Sequence, residues 1–270
     1  MIEIRQLESD KENNKSSFVL MNSTPSFANT IRRTIIEEVP TMAIEDVEFR
    51  KNNSILYDEI IAHRLGLLPL TTDLKSYNLP SDCKCEGKGC ARCQLKLTLK
   101  SKGPCTVYAS DIHTRDAAVK PVFAKTPIVK LLKNQSLELE ATAVLGQGKE
   151  HVKWAPGHVY YKDKPVIEID VKKCDGCGKC VEQCPTKTLE IENNKAVVSK
   201  DHLLDCHLCN ACVDSCPLDA VKVNASGDFV FYIESWGQLD CKKMLIEASK
   251  LLDKKLDLFL DNLKEAKLSQ

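Results

Sequence analysis

The chain has 270 residues, 43% of them hydrophobic, so it is long enough for two or three domains and apolar enough to give them cores. Its 38 Lys and Arg residues balance 38 Asp and Glu, which argues against an extended nucleic-acid-gripping face, because such faces carry a basic excess. No apolar run approaches the roughly 20 residues that span a bilayer, and the opening MIEIRQLESDKENNK has no signal-peptide core. A cytoplasmic location without membrane contact is expected, and in that reducing setting 14 cysteines point to metals before disulfides.

In chain order, IEIRQLES (2–9) and SFVLMNS (17–23) alternate with period two and predict strands. An amphipathic helix is predicted between Thr24 and Val39. Thr24 is placed to cap it, Pro25 takes the first helical position where its missing N–H costs nothing, and Pro40 closes it. Phe27, Ile31, Ile35 and Val39 recur at i+4 along one face, which Ala28 and Ile36 widen. Residues 46–165 hold short strands between turn signals (QLKLTLK, CTVYAS, SLELEATAV) and read as a strand-rich domain inserted into the first. Insertion there keeps the ends of the scaffold together.

A compact unit follows the Lys164-Pro165 break and covers 166–223. FVFYIES (229–235) predicts a strand, and a long helix is expected over roughly Gln238–Lys267. Leu245, Leu252, Leu256, Phe259 and Leu263 mark one face of it, widened by Met244, Ala248 and Leu251. At 1.5 Å per residue this helix is about 45 Å long, more than a small sheet can cover. Its surplus apolar face predicts a partner. Residues 1–45 and 224–270 thus form one discontinuous domain, and the fold class is α+β.

The chemistry lies in the cysteines. CDGCGKCVEQCP carries Cys174, Cys177, Cys180 and Cys184, and CHLCNACVDSCP carries Cys206, Cys209, Cys212 and Cys216. Both are C-x2-C-x2-C-x3-C-P runs of the two-cluster ferredoxin type. The second run repeats the first at a constant offset, Cys206 matching Cys174 and Cys216 matching Cys184, so the pair is an internal duplication. Three closely spaced thiolates wrap one face of a cubane, and the fourth ligates the other cluster. Two [4Fe–4S] clusters are therefore expected, one on Cys174, Cys177, Cys180 and Cys216, the other on Cys206, Cys209, Cys212 and Cys184. Zinc knuckles or a disulfide framework fit worse, because zinc takes paired ligands with longer spacers.

A second group, CKCEGKGCARC, holds Cys83, Cys85, Cys90 and Cys93 around Gly87 and Gly89. Four thiolates in a short glycine-containing loop match a closed tetrahedral Zn²⁺ site; two disulfides or unliganded thiols are the alternatives. Cys105 and Cys241 stand alone and are expected to be small core residues. No P-loop, G-x-S-x-G elbow or H-E-x-x-H pattern occurs, and Gly146-Gln147-Gly148 lacks the third glycine of a dinucleotide fingerprint, so no catalytic residue is assigned. From these residues alone, an electron-transfer protein of ferredoxin type competes with a scaffold, though no flavin or nicotinamide site accompanies the clusters.

Four long segments carry a family resemblance: FVLMNSTPSFANTIRRTIIEEVPTMAIEDVEF (18–49), DEIIAHRLGLLPL (58–70), KWAPGHVYY (153–161) and FVFYIESWGQL (229–239). Together they resemble the alpha-like assembly subunits of cellular RNA polymerases. The ferredoxin-like insertion between the last two makes the chain most similar to the archaeal branch of that family. The resemblance implies a discontinuous dimerisation domain, with an inserted strand-rich domain and a ferredoxin-like domain. It implies pairing with the smaller subunit L through the helices at 25–39 and 238–267, then binding of subunits N and P and the two large catalytic subunits. It also implies a non-catalytic role within a nucleotidyltransferase, with little direct nucleic-acid contact. The loop at 83–93 resembles the zinc loop of the eukaryotic counterpart.

Overall fold

The computed structural model describes residues 1–199 and 201–266. The chain begins with strands β1 (Glu3–Asp10) and β2 (Lys15–Met21), helix α1 (Pro25–Glu38), strand β3 (Thr41–Asn52) and helix α2 (Asp58–Gly66). Strands β4 (Gln94–Lys102), β5 (Cys105–Tyr108), β6 (Ile112–Thr114), β7 (Pro127–Leu131), β8 (Ser136–Gly146) and β9 (Gly157–Ile169) follow. The last part holds α3 (Lys179–Glu182), β10 (Leu189–Glu192), β11 (Lys195–Val198), α4 (Ala211–Asp214), the long strand β12 (Val221–Ser235) and α5 (Cys241–Glu265). The architecture mixes helices and strands and is mostly sheet, in agreement with the α+β expectation.

The chain forms two compact units. One comprises residues 1–9, 16–29 and 160–232; the other comprises 10–15, 30–159 and the chain from Ile233 on. The three-part division expected above follows chain connectivity, whereas compactness groups the N-terminal strands with the cysteine runs.

The first unit is organised by a four-stranded sheet in the order β1-β2-β12-β9. Strand β2 does not alternate as expected: Phe18, Val19 and Leu20 are all buried, so both its faces are covered. Phe18 stacks on Phe231 with ring centroids 5.1 Å apart. Pro165 does not break the chain but lies inside β9, an edge strand with only one neighbour to pair with. β10 and β11 form an antiparallel hairpin running from Leu189↔Val198 to Glu192↔Lys195. Its two-residue turn, Asn193-Asn194, has the positive φ at both positions that such a turn requires.

The second unit packs α2 against a sheet in the order β3-β8-β4-β6. The register pairs Ile44 with Ala143 and Leu99 with Leu139, and these side chains join Ile61 and Leu65 of α2 in one core. Helix α1 is capped as expected, with the Thr24 hydroxyl accepting from the Phe27 N–H at 3.2 Å. Helix α5 starts at Cys241 rather than Gln238, because Gln238 is buried in a turn where the Ser235 hydroxyl donates to the Leu239 carbonyl. Lys267, the expected end of the helix, lies outside the described residues. Among the described residues no helix is long and apolar enough to cross a membrane.

The two glycines of the partial dinucleotide pattern have packing roles. A Cβ at Gly146 would lie 2.3 Å from the Trp154 ring, and one at Gly148 would lie 2.1 Å from the Ile36 carbonyl oxygen. Gly146→Ala should therefore lower the free energy of unfolding by about 1–3 kcal/mol, the usual cost of overpacking. Urea denaturation followed by tryptophan fluorescence measures this, and an unchanged midpoint and slope would contradict it.

Candidate metal centres

The duplication of the cysteine runs extends to the backbone. Gly176 and Leu208 have φ of 78° and 60°, Gly178 and Asn210 have 77° and 61°, and Lys187 and Asp219 have 52° and 47°. The members of each pair occupy matched positions of the repeat, so both loops trace the same path although only the first uses glycine. Asparagine tolerates this left-handed region, whereas leucine pays about 1–2 kcal/mol. Gly178 and Asn210 then start α3 and α4, which carry Cys180 and Cys212. Gly176 has a further constraint, since a Cβ there would sit 2.2 Å from the Asn194 carbonyl oxygen.

The sulfurs receive matching backbone donors. The Thr188 N–H points to Cys184 Sγ at 3.3 Å and the Ala220 N–H to Cys216 Sγ at 3.3 Å. The Ala196 N–H approaches Cys174 Sγ at 3.4 Å. At Cys184 burial raises the thiol pKa, but hydrogen bonds from Thr186 and Thr188 outweigh it and leave the pKa lowered. Thr186 breaks the symmetry, because its hydroxyl lies 3.5 Å from Cys184 Sγ and the matching position holds Leu218.

The fold sorts the eight thiols into two sets. A small pocket is lined by Cys174, Cys177 and Cys180 of the first run together with Cys216 of the second, beside Ile191 and Val221. Cys180 is within electrostatic reach of Cys216, Cys174 and Cys177, and Cys212 is within reach of Cys184, Cys206 and Cys209. Burial raises the Cys180 thiol pKa and pushes that of Cys212 up to about 11. Each must lose its proton to ligate, so loading releases protons. Cys177 and Cys209 are the exposed members of their sets. Two sets of four thiols, each drawn from both runs, suit two [4Fe–4S] clusters.

Two lysines escape a reading of the sequence alone. Lys195 Nζ of β11 donates to the Cys174 carbonyl, while Lys162 Nζ of β9 donates to the carbonyls of Leu204 and Cys206, the latter at 3.3 Å. Neither lies in or beside a cysteine run, so no local motif marks them. Burial lowers the Lys162 pKa.

The group at 83–93 has a tighter geometry. Its four sulfurs lie within 4.8 Å of one another, with Cys83–Cys85 at 3.4 Å, Cys85–Cys93 at 3.5 Å, Cys83–Cys90 at 3.6 Å and Cys90–Cys93 at 3.8 Å. Bonded sulfurs would be about 2 Å apart, whereas a tetrahedral ion with Zn–S bonds of about 2.3 Å spaces its ligands by about 3.8 Å. Gly87 and Gly89 take positive φ in the connecting turn, as does Glu86. Hydrogen bonding with Cys83 and then Cys93 holds the Cys85 thiol down at about 6, while burial pushes Cys93 up to about 12. The residues fit a single Zn²⁺.

The helix residues expected at an interface divide into three kinds. Ile35 is fully buried inside the chain and is a core residue, since the whole i+4 stripe of α1 does not face outward. Phe27, Leu256 and Phe259 are exposed, and Ile31, Leu245, Leu252 and Leu263 are half-buried. Along α5, every described residue from Leu256 onward is exposed except Leu263. Periodicity misses Leu258 and Leu260, also exposed there, because they fall off the single helical stripe. Cys241 is buried as expected, but Cys105 is exposed at the start of β5 and is not a core residue.

Residues 47–170 match the RNA polymerase Rpb3/RpoA insert domain, and residues 173–221 match the 4Fe-4S dicluster domain. The chain is 42% identical over 253 residues to DNA-directed RNA polymerase subunit Rpo3 of Methanothermobacter thermautotrophicus, covering 92% of this chain and 94% of the relative. It is 40% identical over 258 residues to the same subunit of Archaeoglobus fulgidus, covering 95% and 96%. For the Methanosarcina acetivorans subunit the identity is 39% over 245 residues, covering 90% and 91%. The chain belongs to the Rpo3 family, the non-catalytic, assembly-type subunits of DNA-directed RNA polymerase.

The two loop glycines predict different costs. Gly178→Ala meets nothing within 4 Å and should cost about 1 kcal/mol from its backbone conformation alone. Gly176→Ala adds the collision with Asn194 and should cost at least about 1 kcal/mol more. Chemical denaturation of the two variants compares them, and equal losses would contradict the close approach.

Proposed function

We propose that this chain is the assembly platform of an archaeal RNA polymerase in the cytoplasm. Residues 1–45 and 224–270 act as the dimerisation domain, with 46–165 and 166–223 as its strand-rich and ferredoxin-like insertions. It pairs with subunit L through α1 and α5, and the pair then binds subunits N and P and the two large catalytic subunits. It makes little contact with nucleic acid. The observation that carries this reading is the distal part of α5, where Leu256, Leu258, Phe259 and Leu260 are all at least half exposed. These side chains are already about half covered, so burying the rest is worth roughly half of the 1.5–3 kcal/mol that full burial gives each of them, and a partner's apolar surface supplies that burial.

In this reading Cys174, Cys177, Cys180 and Cys216 hold one [4Fe–4S] cluster, and Cys206, Cys209, Cys212 and Cys184 hold the second. Cys83, Cys85, Cys90 and Cys93 hold a Zn²⁺. When bound, the clusters cross-link the two runs and bring one-electron redox chemistry. The chain's own residues hold the thiolates through the N–H donors of Thr188, Ala196 and Ala220. The small core around Leu189, Ala196, Ala220 and Val221 includes cysteines among its members, so cluster retention and folding of this module are coupled. The iron–sulfur domain thereby stabilises or redox-regulates later assembly. A ferredoxin-like electron carrier is the second reading, favoured by the exposure of Cys177 and Cys209.

Co-expression with a subunit L homologue tests the platform. The native chain should form a tight heterodimer, and Leu256→Glu with Phe259→Glu should weaken it at least about tenfold, as two half-exposed anchors worth roughly 1 kcal/mol or more each require. Cys177→Ser with Cys209→Ser should leave pairing intact while reducing incorporation of the large subunits. A stable monomer indifferent to L would overturn the reading.

A further inference from the structure

Resting on the two-cluster reading, we infer that Lys195 and Lys162 are paired positioning residues, each fixing a positive charge beside one cluster and raising that cluster's reduction potential. Each run has its first cysteine carbonyl bound by a lysine ammonium: Cys174 by Lys195 and Cys206 by Lys162. Both lysines come from strands outside the runs, β11 and β9, and both are half-buried.

The exchange between repeats makes the arrangement more than a chance contact. Lys162 precedes the first run but binds the second; Lys195 precedes the second run but binds the first. The spacing between the lysines does not equal the offset between the runs. Position by position, the repeat partner of Lys162 is Asn194 and that of Lys195 is Asp163. The same carbonyl is therefore met by an ammonium at two sites that duplication alone does not make equivalent.

The physical consequence follows from charge. A cluster with four thiolates is anionic, and one-electron reduction adds a further negative charge to it. A cation held by the backbone of a ligand cysteine favours the more negative state, and net local charge is one of the levers on cluster potential. Anchoring the ammonium on a carbonyl also ties the loop to a strand. Lys162 reaches two carbonyls of its loop and Lys195 one.

The test uses the full chain, purified anaerobically with its clusters, and an EPR-monitored redox titration with iron and sulfide analysis. Lys195→Met and Lys162→Met should each change the reduction equilibrium of one cluster by about tenfold, a downward shift of about 59 mV for one electron, or release that cluster's iron alone. The other cluster should not move, and Lys195→Arg and Lys162→Arg should restore native behaviour. Unmoved midpoints with full loading, equal effects on both clusters, or no rescue by arginine would overturn this inference alone. A native chain devoid of iron and sulfide would overturn the cluster reading and this inference with it.

Discussion

Each set of four thiols in the cysteine module is drawn from both runs. Cys216 closes the cavity formed by Cys174, Cys177 and Cys180, and Cys184 stands with Cys206, Cys209 and Cys212. The two runs must therefore be in register before either set is complete. The left-handed residues at 176, 178, 208 and 210 serve that requirement, as do the N–H donors of Thr188 and Ala220. So does the hairpin turn that brings Asn194 against Gly176. The core of this module is small, built around Leu189, Ala196, Ala220 and Val221 with cysteines among its members.

The remainder of the chain follows a different logic. The insert around β3, β8 and β4 has a conventional aliphatic core, with Leu97, Leu99, Leu137 and Leu139 almost wholly removed from water. Helix α5 begins in the same manner, burying Cys241, Met244 and Ala248, then loses its cover after Leu252. One end of this helix is paired to the chain by its own packing. The other presents apolar side chains that suit an assembly subunit. The distribution fits a protein whose stability is shared between its own cores, its metals and its partners.

Much of this was legible in the sequence. The cysteine runs, the cap at Thr24 and the strands of the insert each leave a local pattern that spacing or periodicity exposes. What was not legible depends on tertiary contact. Pro165 looked like a boundary because its tolerance within β9 rests on that strand lying at a sheet edge. Ile35 shared its stripe with exposed residues because helical periodicity cannot separate a face buried within a chain from one buried against a partner. Lys162 and Lys195 carried no signal, since a lysine in a strand is ordinarily solvated and their carbonyl partners Cys206 and Cys174 are distant in the chain. Leu208 by itself gives no sign of a left-handed backbone; only its match to Gly176 in the repeat points to one.

Metal and acid-labile sulfide analysis of the anaerobically purified chain, alone and paired with subunit L, tests the central claim most directly. Two four-thiol sets and one thiolate tetrahedron predict about eight irons, eight sulfides and one zinc per chain, with reduced clusters giving a [4Fe–4S] EPR signature. Zinc without sulfide in the paired runs, or iron that loads without using Cys184 and Cys216, would contradict it.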